Sequence, residues 1–87
     1  MAKKALRKNK SLETRVVRTH FKKLRESKGS QRYVAEQVGV SEVTVRHVEN
    51  GWLDPGVKLI VDFAIYFNEN AEDLFPDLFI RNGKNVI

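Results

Sequence analysis

The chain predicts an all-α domain of five helices, with a small C-terminal β-hairpin or strand. Three observations carry that prediction. Apolar residues recur at helical spacing through most of the chain, and no strand-like alternation appears before residue 78. Each periodic segment opens after a capping residue and closes at Gly, Asn or Pro. The stops between segments span two to six residues, a length that suits helices packed against their neighbours. At 87 residues the chain holds one core, and 41% apolar with 31% charged residues is ordinary for a globular domain.

The elements follow in order. Ser11 caps a helix running to about Lys28, with Val17, Phe21 and Leu24 on one face at i, i+4 and i+7. Gly29 ends it. Ser30 then caps a short helix from Gln31 to Val38, with Val34, Ala35 and Val38 inward. Gly39 breaks the chain, and Ser41 caps a third helix from Glu42 to about Asn50. Val45 and Val48 point one way on this helix, while Glu42, Val43, Arg46 and His47 fall on the opposite side at 100° per residue. Asn50-Gly51 stops it, and Trp52 to Gly56 form a loop. Asp54 before Pro55 offers an N-cap for the fourth helix, with Gly56 as the competing cap. That helix runs to about Phe67, with Leu59, Ile60, Phe63 and Phe67 inward and Asn68 as its left-handed stop. Asn70 caps a last turn, Ala71 to Phe75, ended by Pro76. Asn82-Gly83, between Phe79-Ile80 and Val86-Ile87, is the preferred pair for a type I′ hairpin turn.

Charge is unevenly spread. Residues 1–32 hold twelve of the sixteen Lys and Arg against Glu13 and Glu26, a balance of +10; residues 33–87 sum to −5. One end of the chain seeks a polyanion, and nucleic acid is the commonest such partner. Lys3, Lys4, Arg7, Lys8 and Lys10 lie where apolar content is too low to fold alone, so residues 1–14 read as a flexible basic arm. Such an arm either follows a nucleic-acid backbone or enters a minor groove, or it serves only as a solubilising tail.

Several classes are disfavoured. The absence of cysteine excludes a disulfide scaffold and a thiolate zinc site, and fits a reducing cytoplasm. The longest uncharged stretch is too short to span a bilayer, and no apolar run follows the basic start, so neither membrane span nor signal peptide is expected. His20 and His47 stand on different helices, without paired carboxylates or a phosphate-cradling Gly loop. Neither enzyme activity, metal, cofactor nor small-molecule ligand is expected.

Residues 30–51 carry the telling pattern: Ser30-Gln31, Val34-Ala35, Val38-Gly39-Val40-Ser41, Thr44-Val45, Val48-Glu49-Asn50-Gly51. Ala35 must be small where two helices cross, Gly39 supplies a left-handed turn residue, and the valines pin the second helix against the first. This stretch resembles the phage-repressor and Cro-type helix-turn-helix family, with weaker echoes at Leu24-Arg25-Glu26, Pro55 and Glu72-Asp73-Leu74-Phe75. The resemblance covers roughly residues 15–75 and implies a lambda-repressor-like fold. The direct Gly29-Ser30 junction departs from the family pattern, being one residue short, as do Trp52 and Leu53, where basic residues are usual. Trp52 is expected to pack on the core, over a DNA backbone or against a partner, the core being favoured.

The resemblance implies a third helix in the major groove of double-stranded DNA, with Glu42, Val43, Arg46 and His47 as base readers. Arg46 suits guanine O6 and N7, Val43 a thymine methyl, and Glu42 a cytosine amino group or the rejection of wrong sequences. Ser30, Gln31, Arg32, Ser41, Thr44 and Asn50 are then backbone contacts, and Tyr33 is a further candidate. Gln31 and Ser41 also stand at helix N-termini, where backbone N–H groups suit phosphate oxygens. Glu49 is expected to pair with Arg25 as a structural clamp.

The implied function is a transcriptional regulator of a phage, mobile element or bacterium, most simply a repressor occupying a pseudo-palindromic operator as a homodimer. The competing class is an antitoxin-type or adaptor protein whose main partner is another protein. The tail, residues 76–87, is the expected dimer contact through Leu78, Phe79, Ile80, Val86 and Ile87, because two strands alone need a cover for their apolar side.

Overall fold

A computed structural model describes residues 15–79. Within them run six helices: α1 Thr19–Lys28, α2 Gln31–Val38, α3 Glu42–Glu49, α4 Val57–Phe67, α5 Ala71–Leu74 and α6 Pro76–Phe79. The expected starts of α2 and α3 are met in detail. Ser30 and Ser41 are extended, and their hydroxyls accept hydrogen bonds from the backbone N–H of Tyr33 and Thr44, both at 3.0 Å.

The first helix begins later than its periodicity predicts. Residues 15–18 are non-helical, and Ser11 lies outside the described residues. Tertiary partners hold this segment against the end of α3. The Arg18 backbone N–H donates to the Glu49 carbonyl at 3.0 Å. Its guanidinium donates to the carbonyls of Val48 (2.8 Å) and Leu53 (3.0 Å) and to the carboxylates of Asp54 (2.7 Å) and Asp77 (2.8 Å). Burying a cation demands such partners, and their positions dictate φ −96° and ψ 83° at Arg18 in place of helical values. Val17 therefore leaves the inner face and is 42% exposed.

Gly51 makes that crossing possible. Its φ is +81°, and a Cβ built there would overlap the Val16 carbonyl. Only a residue without a side chain lets the two backbones lie together.

The core is an aromatic cluster. The Phe21 ring meets Phe63 and Phe67 edge to face, with centroids 4.9 and 5.4 Å away, and lies 5.7 Å from Phe75. Val34, Ala35, Val45, Val48 and Leu74 complete it, with Leu24, Val38, Leu59, Ile60 and Leu78 packed at its margin. Edge-to-face pairs add about 0.5–1.5 kcal/mol each beyond the burial of their area.

Three further expectations need correction. Gly56, not Asp54, is the N-cap of α4, because Asp54 is engaged with Arg18. Leu53, not Trp52, packs against the core; the Trp52 ring is half-buried under the Arg15 guanidinium, 4.3 Å from its centroid. Pro76 follows the end of α5, as expected, but it also opens α6, a sixth helix where five were expected, since proline at a first helical position forfeits no internal hydrogen bond. Leu78 and Phe79 are consequently helical, so no strand begins there. Asn82-Gly83, Ile80, Val86 and Ile87 lie outside the described residues, as does the arm with Lys3, Lys4, Arg7, Lys8 and Lys10.

Candidate nucleic-acid interface

The α2–α3 pair is built from short-range sequence rules. Gly39 takes a left-handed conformation (φ 91°, ψ 33°), and its N–H and that of Val40 both donate to the Ala35 carbonyl, at 2.8 and 2.9 Å. Ala35 is buried at the crossing, and Val34, Val45 and Val48 are fully buried behind it. Pinned on this side, α3 presents its other side to solvent.

Four expected base readers share that outer side. Glu42 and Val43 are exposed, while Arg46 and His47 are half-exposed. Arg46 and Glu42 form an i, i+4 ion pair with N···O at 3.9 Å, a long approach between side chains 43% and 47% exposed. An exposed pair of this kind stabilises by at most a few tenths of a kcal/mol, so the guanidinium is held loosely and can exchange partners.

The expected backbone contacts divide into two groups. Ser30 and Ser41 are exposed at the starts of α2 and α3, and Arg32 is exposed beside Glu36. The others are turned toward the protein. Gln31 Nε2 reaches Glu49 Oε2 at 3.5 Å, and Asn50 Nδ2 donates to the Arg46 carbonyl at 3.0 Å. Thr44 is buried, and its hydroxyl shares a hydrogen bond with that of Ser41 at 2.9 Å. A Thr44–phosphate contact is thus at odds with its position.

At the last turn of α3 stands the expected clamp. Arg25 Nε and Nη2 donate to the two oxygens of Glu49, each at 2.8 Å, and Glu49 is 2% exposed. Hydrogen bonding to Glu49 raises the Arg25 pKa above its ordinary value. The bidentate geometry fixes α1 against the last turn of α3.

Two residues escaped sequence reasoning. Arg18 looks like one more member of a basic run, yet it is buried; nothing local distinguishes it from Arg15. Arg15 donates to the Asn50 carbonyl at 3.4 Å and covers Trp52, placing a cation at the C-terminal end of α3. That end attracts positive charge through the helix dipole, and a basic residue just ahead of the domain is the faint signal that was there to read.

Two packed helices joined by a left-handed glycine turn, the second with an exposed polar face, define a helix-turn-helix DNA-binding domain. A family model for the Cro/C1-type helix-turn-helix matches residues 21–74, and the chain belongs to that family. The family is one of DNA-binding transcriptional regulators, not of enzymes. No curated protein and no solved structure matches the chain at a significant level.

Proposed function

We propose that the protein is a cytoplasmic repressor that binds a pseudo-palindromic double-stranded operator as a two-fold dimer and acts by occupying it. The observation that carries this reading is the two-sidedness of α3: Val45 and Val48 are buried, while Glu42, Val43, Arg46 and His47 line the other side. A helix held so fits the major groove, which is about 12 Å wide.

In this reading Arg46 releases Glu42 to meet guanine O6 and N7. Val43 packs on a thymine methyl. Glu42 accepts from a cytosine amino group or repels sequences that lack one, and His47 contacts a base or a phosphate. Ser30, Arg32 and Ser41 meet phosphates, with Gln31 and Asn50 following if they let go of their protein partners. The basic arm tracks the backbone beside them. Selection of bound duplexes from a random pool tests the assignment. Enrichment of a two-fold site with half-sites about one turn apart supports it. No enrichment, together with capture of a protein partner, transfers the function to protein binding.

A further inference from the structure

Helix α4 has a second apolar side. Phe63 and Phe67 are buried beneath it, yet Val57, Val61 and Ile65 on its outer side are 79%, 46% and 73% exposed. Single exposed aliphatics are ordinary, but these three recur at i, i+4 and i+8 and form one continuous ridge. No other helix among the described residues presents three exposed apolar side chains at that spacing. The described part of the tail expected to make the dimer contact, residues 76–79, offers less: Leu78 is turned against the core, and Phe79 is the exposed apolar side chain of α6.

We propose that this ridge is the surface through which a second copy of the chain docks, α4 against α4 and antiparallel, about a two-fold axis passing near Val61. The occupant follows from the charges beside the ridge. Lys58 and Asp62 flank it one row over, 2.8 Å apart, and Lys58 is almost wholly exposed. On the opposite flank Ala64 and Asn68 are uncharged, with the acidic Glu69 and Asp73 beyond them at the end of the helix. Turned antiparallel about Val61, the ridge sets Val57 against the partner subunit's Ile65, and Lys58 close to the partner subunit's Asp62, twice by symmetry. A parallel arrangement sets the Lys58–Asp62 row against the partner subunit's Ala64 row, where neither charge meets its opposite, and is disfavoured. The surface is therefore self-complementary in shape class and in charge, and an isologous interface requires both. Ridges of i±4 spacing interdigitate at helix separations of about 8–10 Å, close enough for these side chains to meet. The interface does not depend on which DNA is read.

Sedimentation equilibrium of the 87-residue chain, across concentration and without DNA, tests it. The wild type is expected to self-associate, and Val61→Gln with Ile65→Gln to weaken the association by roughly tenfold or more. Glutamine is a good helix former, so α4 should persist, which circular dichroism checks. Lys58→Glu alone and Asp62→Lys alone should each weaken association, because each places like charges together. Mixed, the two variants should associate with one another better than either does with itself, an outcome that disruption of the pair within one chain does not produce. A wild type monomeric at all accessible concentrations overturns the proposal. So does association that survives the glutamine variant, which puts the interface at Phe79 or beyond, and so does a mixture no stronger than its components. Half-site binding by the glutamine variant at high protein concentration should be retained, so a failed dimer and a failed DNA reading are told apart.

Discussion

Helix α3 takes part in two arginine–glutamate pairs, one in its last turn and one nearer its start, and the two have opposite meanings. Arg25–Glu49 is bidentate at 2.8 Å with Glu49 2% exposed; Arg46–Glu42 is a single 3.9 Å approach between half-exposed side chains. The chemistry is the same and the solvent is not. A buried carboxylate cannot lose its cation without being left uncompensated, so the first pair holds the frame. A solvated guanidinium gives up its carboxylate at little cost, so in the proposed reading the second trades it for a base edge. In the proposed reading, structure and recognition are separated along the length of one helix.

The contrast can be broken in several ways. Glu49→Ala should cost about 3–5 kcal/mol of folding stability in a urea titration, since Arg25 is then buried without its carboxylate, keeping only the Gly29 carbonyl. Replacing both, Arg25→Met with Glu49→Leu, should cost much less than the sum of the single changes; additivity would mean that the pair is not coupled. Gly51→Ala should cost roughly 1–3 kcal/mol through its positive φ, and more if Val16 cannot move aside. A near-neutral result would show that residues 15–18 are not held against α3. Deleting residues 1–10 should leave stability unchanged and flatten the dependence of log K on log salt, by roughly 0.9 for each phosphate the arm neutralises. An unchanged slope would make the arm a bystander. Smallest is Glu42→Gln. It should alter stability by only a few tenths of a kcal/mol while raising affinity for non-specific duplex, as a carboxylate facing phosphates is removed. A destabilisation comparable to that of Glu49→Ala would erase the distinction between the two pairs.

What could be read beforehand follows the range of the forces involved. The caps Ser30 and Ser41, the left-handed Gly39 and Asn68, and the buried faces of α2 and α3 depend on neighbours within four residues, and sequence pattern reports those well. The start of α1 depends on acceptors at Val48, Leu53, Asp54 and Asp77, 30 to 59 positions away, so apolar spacing alone extends the helix too far back. Pro76 misleads in the other direction, because a proline that stops one helix is equally suited to start the next. At the site, residue type and face locate Glu42, Val43, Arg46 and His47 on the outer side. They do not reveal that Gln31 leans on Glu49 or that Thr44 is occupied with Ser41, because both pairings depend on how α2 and α3 meet. The α4 ridge is hidden in the sequence because the inner face of that helix already explains its apolar content.

In the proposed reading the outer face of α3 reads sequence without supporting the fold. Arg46→Ala, titrated onto the selected operator and onto a scrambled duplex, tests it most directly, with a urea titration of the same preparation. The expected result is a weakening of about 1–3 kcal/mol on the operator, a much smaller one on the scrambled duplex, and folding stability within about 0.5 kcal/mol of wild type. Equal weakening on both duplexes would make Arg46 a phosphate-binding residue, and unchanged binding to both would contradict the assignment of this face to DNA.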